Sequence, residues 1–470
     1  MLLPEEKREW MKYSMAAIAA VTLALSIYIF VAYDNDLGGY QFETEKYRWL
    51  PGLGVTFHLA VDGIAAPMVL LTGIVMVTAV FMAWNTTPRA KDFFALFMAL
   101  VCGVYGVFLS LDLFFLFFFY ELAVVPMYLL IGVWGSTRKE YGALKLVLYL
   151  VASSVLVWIG LIAIYVHAGI GSFNLLELEQ AGFDATFQRV VFPLLMFGFG
   201  VLAGLWPFHT WSPDGHVAAP TSVSMLHAGV LMKLGAFGII RIGLDLLPQG
   251  AQDWQLVLVG LATVNVVYGA MAALAQRDLK FVIGYSSVSH MGYVLMGIGT
   301  LDPQGLTGAV YQMFSHGIMT ALFFALVGVV YDRAHTRDIS VFQGLSKRMG
   351  VTAAFFAVAG LTSLGLPGLS GFIAEFLVFV GLFKTYPAVA VLGIIGAAVT
   401  AVYILRLLAK VFFGPLDSRW EKLPDASNLE KASMLALVAV LIFGGVYPQP
   451  FTRMIDEGVG PILGRIAAVA

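Results

Sequence analysis

The chain has 470 residues, of which 60% are hydrophobic and only 12% are Asp, Glu, Lys or Arg; soluble domains carry about twice that share of charge, so the outside of this protein must face lipid. A formal net charge of −2 excludes the basic surplus that nucleic-acid binding needs. The single cysteine, Cys102, excludes a disulfide framework, a thiolate zinc site and an iron–sulfur cluster ligated by this chain alone.

A spanning helix needs about 20 predominantly apolar residues. Windows of that kind fall at roughly 13–33, 65–84, 92–110, 113–133, 143–167, 189–206, 222–243, 255–275, 280–299, 306–331, 351–385, 387–413 and 432–448. They predict an all-α polytopic membrane protein of about 13 transmembrane helices. The window 351–385 is too long for one straight helix and is interrupted by "GLPGLSG", so it reads as one broken span. The opening "MLLPEEKREWMKY" is charged and runs into a full-length span, so no cleaved signal peptide is expected. Basic residues in alternate loops set the orientation. With the N-terminus inside, nineteen fall on the inner side, Lys280 among them, and seven on the outer side, Arg241 and Arg465 among them. Lys233 is left within the membrane. The C-terminus then lies outside, and a bacterial inner membrane is the expected location.

The spacing holds a repeat. Spans beginning near 92, 113, 143, 189 and 222 recur near 255, 280, 306, 351 and 387, an offset of about 160–167 residues. Five spans is an odd number, so the second set must be inverted relative to the first, as in many transporters. The expected division is N-terminal spans at 1–91, repeats at 92–243 and 255–413, and a last span with its tail at 414–470. "LWPFHTWSPDGH" in the first repeat matches "LGLPGLSGF" in the second, so each repeat is expected to contain a broken helix.

Three ionisable residues fall where lipid depth is expected: Glu121 in "LFFLFFFYELAVVPMYLL", Lys233 in "SMLHAGVLMKLGAFGII" and Glu375 in "GFIAEFLVFVGLF". A charge there costs a few kcal/mol at least, so each must face the bundle interior, a partner or water. Such groups are candidates for loading and releasing protons; a static buried ion pair is the bland alternative. His227, two turns before Lys233, His290 in "YSSVSHMGY" and His316 in "QMFSHGIMT" could relay protons or could be packing residues with satisfied nitrogens. His209, Asp214 and His216 look like a metal set on paper, but they flank a helix break without a fourth ligand, so no metal is expected.

The strings "FYELAVVPMYLLIGVWG", "PFHTWSPDGHVAAPTS", "HAGVLMKLGAFGIIR", "RDLKFVIGYSSVSHMGY", "YDRAHTRDI" and "GLPGLSGFIAEF" are similar to the antiporter-like subunit M family of NADH:quinone oxidoreductase (respiratory complex I), the counterpart of NADH dehydrogenase subunit 4 and a sister of the Mrp cation/proton antiporters. The resemblance runs from about residue 50 to the C-terminus. It implies a proton-translocating membrane-arm subunit with no cofactor of its own, partnered by two other antiporter-like subunits and lipid. Glu121 would be the family's buried glutamate, Lys233 its central lysine and Glu375 its lysine-or-glutamate on the exit side, with His290 and His316 near the central axis. Two departures stand out. The family's further lysine, 31 residues before the central one, is Leu202 here, which leaves Glu121 without its usual partner unless His227 substitutes. The family's first span also precedes a charged stretch like "PEEKREW", within which this chain begins. Three readings fit: a redox-driven pump subunit, a cation/proton antiporter subunit, and a non-pumping scaffold for which Leu202 is the argument.

Overall fold

A computed structural model of the chain describes residues 8–86 and 88–469, so most of the charged opening stretch lies outside the described residues. The elements run α1 (Arg8–Ala32), β1 (Tyr47–Leu50), β2 (Val55–Phe57), α2 (Ala65–Met82), α3 (Ala90–Leu109), α4 (Leu113–Trp134), α5 (Lys139–Ala168), α6 (Leu175–Leu178), α7 (Ala185–Ala203), α8 (Trp211–Ala218), α9 (Thr221–Leu226), α10 (Met232–Gly238), α11 (Pro248–Ala275), α12 (Leu279–Gly299), α13 (Pro303–Ala334), α14 (Gly350–Ser363), α15 (Ser370–Thr385), α16 (Pro387–Val411), α17 (Asn428–Val446) and α18 (Gln449–Ala468). Two π-helical stretches, His227–Leu231 and Ile239–Leu244, join α9 and α10 into one continuous span, Thr221–Leu244. Among the described residues, twelve helices are long and apolar enough to cross a bilayer. The broken pair α14–α15 makes a thirteenth crossing, so the protein is a multi-pass membrane protein.

Burial sorts the spans into a ring and a centre. Along α5, Leu144, Leu148, Val151, Val155, Ile159, Ile162 and Val166 form an exposed apolar stripe at helical spacing. The span Thr221–Leu244 and α13 are instead buried all round, and α12 nearly so. A helix wrapped entirely by protein can carry polar side chains that a lipid-facing one cannot. Lys233, His290 and His316 sit on these three central elements.

The same backbone device closes each half at opposite faces. On the face of the β1–β2 hairpin, Asp112 caps α4 by accepting from Phe114 N and Phe115 N. There Leu113 N donates to Phe173 O (2.9 Å) and Leu175 N to Leu111 O (2.8 Å). On the opposite face, Asp278 caps α12 by accepting from Lys280 N and Phe281 N. Leu279 N donates to Arg337 O (3.0 Å) and Ile339 N to Arg277 O (2.8 Å). Finding one motif at both faces is what an inversion of the second five spans requires. Both breaks occur where the matching strings stand: α7 ends at Gly204 in the left-handed conformation before α8, and α14 ends before a turn through Gly365 and Gly368.

Two sequence expectations are corrected. Lys280 is not a loop residue; it is buried in the first turn of α12. Arg241 is likewise buried, held by Asp62 at 2.6 Å. The tail beyond the last span is a helix, α18, whose Phe451, Met454, Ile455, Val459, Ile462 and Ile466 form one buried face along the hairpin side of the bundle.

Removing an N-cap carboxylate leaves helix N–H groups unpaired and costs about 1–2 kcal/mol. Asp278→Ala and Asp112→Ala are therefore each expected to lower the thermal unfolding temperature of the detergent-solubilised protein. The Asn variants keep the cap and should fall less.

Candidate functional site

The π-turn at His227–Leu231 ends two residues before Lys233. Inserting one residue into a helix skews the carbonyl ladder, and such bulges concentrate at functional sites. Here the Lys233 ammonium, wholly buried, donates back to the Ala228 carbonyl of that turn and lies 2.7 Å from His316 Nδ1 on α13. The close meeting of the two helices rests on a glycine pair: a Cβ on Gly317 would lie 2.6 Å from the Gly229 carbonyl.

From His316 the line continues sideways. Its ring stacks on His290 of α12 with centroids 5.5 Å apart and planes 21° from parallel. His290 Nδ1 is 2.8 Å from Ser286 O, and Nε2 is 3.0 Å from Ser363 O. Ser363 is the last residue of α14, so its carbonyl is one that the helix break leaves available. Both nitrogens face carbonyl oxygens, and only the imidazolium can donate to both at once. Nε2 also lies 3.5 Å from Glu375 Oε1 on α15, and Gln312 Nε2 donates to the same oxygen at 3.5 Å. The break gives that carboxyl its room: Gly365 has φ 72°, and a Cβ there would sit 3.1 Å from Glu375 Oε2. Lys233, His316, His290 and Glu375 thus form one buried line running from the first five-span set into the second.

Two expected residues stand apart. His227 does not serve Glu121; its ring stacks on Trp211 (5.2 Å, 17°) and lies 3.9 Å from the ring of His216. Glu121, half-buried on α4, lies beside Ser154 of α5. Among the described residues its Oε1 has no hydrogen-bond partner and its carboxyl makes no ion pair. Leu202, at the place of the family lysine, is fully buried. The paper metal set disperses: Asp214 pairs with Lys145 at 2.7 Å, His209 packs edge-on to Tyr268, and His216 meets His227.

Lys280 and His216 belong to the polar interior although the loop count and the metal test set them aside. Lys280 Nζ donates to Ala219 O at 2.6 Å, in the break between α8 and α9. Ser224 Oγ, 3.4 Å from that ammonium, donates to His216 O at 3.0 Å. Lys280 and Ser224 thus meet the main chain at His216, whose ring lies against that of His227, and these groups lead from the face opposite the hairpin toward Lys233. The ring nitrogens of His216 and His227 have no protein partner among the described residues; buried polar atoms of that kind are ordinarily satisfied by water.

The transmembrane family described as NADH:quinone oxidoreductase/Mrp antiporter matches residues 110–400. The chain belongs to that family. It is 37% identical over 464 residues to NAD(P)H-quinone oxidoreductase chain 4 of Gloeobacter violaceus, covering 96% of this chain and 88% of the relative. It is also 37% identical to NADH-quinone oxidoreductase subunit M of Rhodobacter capsulatus, covering 96% and 90%. Among solved structures, a chain of respiratory complex I from Thermus thermophilus superposes with a TM-score of 0.90 at 27% identity, covering 97% of this chain and 95% of that one. A chain of the Mrp complex from a Dietzia species shares the fold, with a TM-score of 0.87 at 20% identity, covering 98% and 95%.

Gly365→Val is expected to strain the turn and displace the Glu375 carboxyl. Infrared difference spectra of the membrane assembly should show Gly365→Val shifting the Glu375 carboxyl band, which Glu375→Gln identifies by removing it, while the chain stays inserted.

Proposed function

We propose that this chain is the antiporter-like, proton-translocating membrane-arm subunit of a redox-driven NADH:quinone oxidoreductase complex, alongside two other antiporter-like subunits. The observation that carries the reading is the buried line Lys233–His316–His290–Glu375, in which each member lies against the next and no lipid-facing gap intervenes. Protons enter from the face opposite the hairpin, the cytoplasmic face by the basic-residue count, along Lys280, His216 and His227. Lys233 receives the proton, the two imidazoles carry it sideways, and Glu375 passes it toward the hairpin face. Electron transfer belongs to other subunits; this chain turns a distant redox event into proton movement.

The mechanism depends on what each base leans on. Lys233 contacts a carbonyl and an imidazole, with no carboxylate in its hydrogen-bond set. It therefore gains or loses a proton without breaking an ion pair. Imidazole both accepts and donates near neutral pH, which suits His316 and His290 to relay. Glu121 takes no part in the line as placed, and its lack of a cationic partner favours the scaffold reading as the second one.

The two readings separate on one variant. Lys233→Ala is expected to lower the proton-to-electron ratio of the reconstituted complex with little effect on assembly. An unchanged ratio would establish a non-pumping scaffold.

A further inference from the structure

The hairpin-face end of the Lys233 span carries a buried charge cluster that the line does not use. Arg241 is paired with Asp62 at 2.6 Å and donates to the Tyr40 hydroxyl at 2.8 Å, so this part of the cluster is electrically balanced. The next part is not. Asp245, immediately past the span, and Glu179, in the turn after α6, both accept from one guanidinium, that of Arg465 on α18. Glu179 Oε2 is 3.3 Å from Arg465 Nη1, and Asp245 Oδ1 takes Nη2. The Asp245 side chain is completely inaccessible.

One oxygen on each carboxyl is left over. Asp245 Oδ2 and Glu179 Oε1 are both buried without a donor among the described residues. The charged and titratable groups around the pair are Tyr40, Asp62, Arg241 and Arg465, three carboxyls in all against two guanidiniums. Two carboxylates that share a buried site do not both ionise near neutral pH. A single proton placed between them turns two facing acceptors into a donor and an acceptor, and it cancels the surplus charge.

We propose that Glu179 and Asp245 are a proton-binding site, a carboxylic acid–carboxylate pair sharing one proton under the Arg465 fork and fastening α18 to the end of the Lys233 span. Burial and the Asp245 charge push the Glu179 carboxyl up to about 7, with Arg465 and Arg241 opposing. Burial raises Asp245 as well, again against Arg465 and Arg241. The pair therefore holds its proton below about pH 7 and releases it above. Nothing in this site touches Lys233, so it stands or falls separately from the relay.

The test is pH-difference infrared spectroscopy on the full chain in the membrane assembly with which it purifies. Wild type should show a carboxylic C=O band that disappears with a midpoint near pH 7. Glu179→Gln and Asp245→Asn should each remove that band. Arg465→Gln takes away a cation that favours the ionised form, so the midpoint should rise by about one pH unit or more. Arg465→Lys, which serves where another variant does not assemble, keeps the charge but cannot fork to both carboxyls; with one hydrogen bond to the ionised form lost, the midpoint should rise by less than in Arg465→Gln. A wild type without the band, a band surviving both amide variants, or a midpoint unmoved by either Arg465 variant would overturn the assignment.

Discussion

The hydrocarbon of a bilayer holds no water to complete a hydrogen bond, so each polar group at depth must be answered by the protein or by water that the protein encloses. This chain answers its buried bases with main-chain carbonyls that irregular helix geometry sets free. Lys233 rests on Ala228 O in the π-turn, His290 on Ser363 O at the end of α14, and Lys280 on Ala219 O between α8 and α9. The arginines are treated differently: Arg241 goes to Asp62, Arg333 to Glu430 and Arg337 to Asp278. A carboxylate partner stabilises the charged form of a base and fixes it there, whereas a carbonyl dipole accepts from the charged or the neutral form. Lys233 and Lys280, whose partners are carbonyls and neutral side chains, are thus freer to change charge than these arginines, each of which has a carboxylate. Straight helices throughout would have satisfied every carbonyl internally and left those bases nothing to lean on.

The repeat explains why the irregularities face one another. Each five-span set has its own break, and the Asp112 and Asp278 bridges show the sets related by inversion. Inversion brings the π-turn of one set against α13 of the other, where Gly229 and Gly317 allow the backbones to meet. Lys233 belongs to the first set, whereas His316, His290 and Glu375 belong to the second. The line therefore crosses the seam between the sets, and its steps depend on how the two halves are packed.

Much of this was legible in the sequence because lipid imposes a strong pattern. Thirteen apolar windows, two proline–glycine interruptions and three isolated charges follow from hydropathy and helix chemistry alone. The signal fails where a residue's partner lies far away in the chain. Lys280 looks like a loop lysine in "RDLKF" because nothing nearby shows that Asp278 caps the helix and draws the lysine inward; the Asp at that position was the available hint. Arg241 is buried by Asp62, far away in the chain, and no local string announces such a pair. The π-turn has no composition of its own, so the displaced Ala228 carbonyl was invisible. The α18 face, by contrast, was readable: Phe451, Met454, Ile455, Val459, Ile462 and Ile466 keep helical spacing, but charges among them mask the pattern from a search tuned to spans. His227 was offered to Glu121 only because Leu202 stands where the family's lysine would be; in the fold its ring goes to Trp211 and His216 instead.

The sideways turn of the line has a physical reason at the far side of Lys233. One turn further along α10, the buried Phe237 packs edge-on against Phe108 with ring centroids 5.1 Å apart. The Arg241 guanidinium sits over the same Phe237 ring, 5.1 Å from its centre. A proton leaving Lys233 straight toward the hairpin face would meet an apolar ring and then a fixed positive charge. Each charge that leaks across the bilayer dissipates about 2.3 kcal/mol per 100 mV of potential, so closing the direct path matters to any membrane that stores energy this way. With that path shut, the polar route left to Lys233 is lateral, through two imidazoles whose neutral forms have one proton each to give. In the proposed relay, transfer then requires His316 and His290 to be loaded and emptied in turn, a sequence that a change in Lys233's charge can start or stop. The aromatic block and the displaced carbonyls are two halves of one arrangement: the first forbids a continuous channel, and the second makes a stepwise one possible.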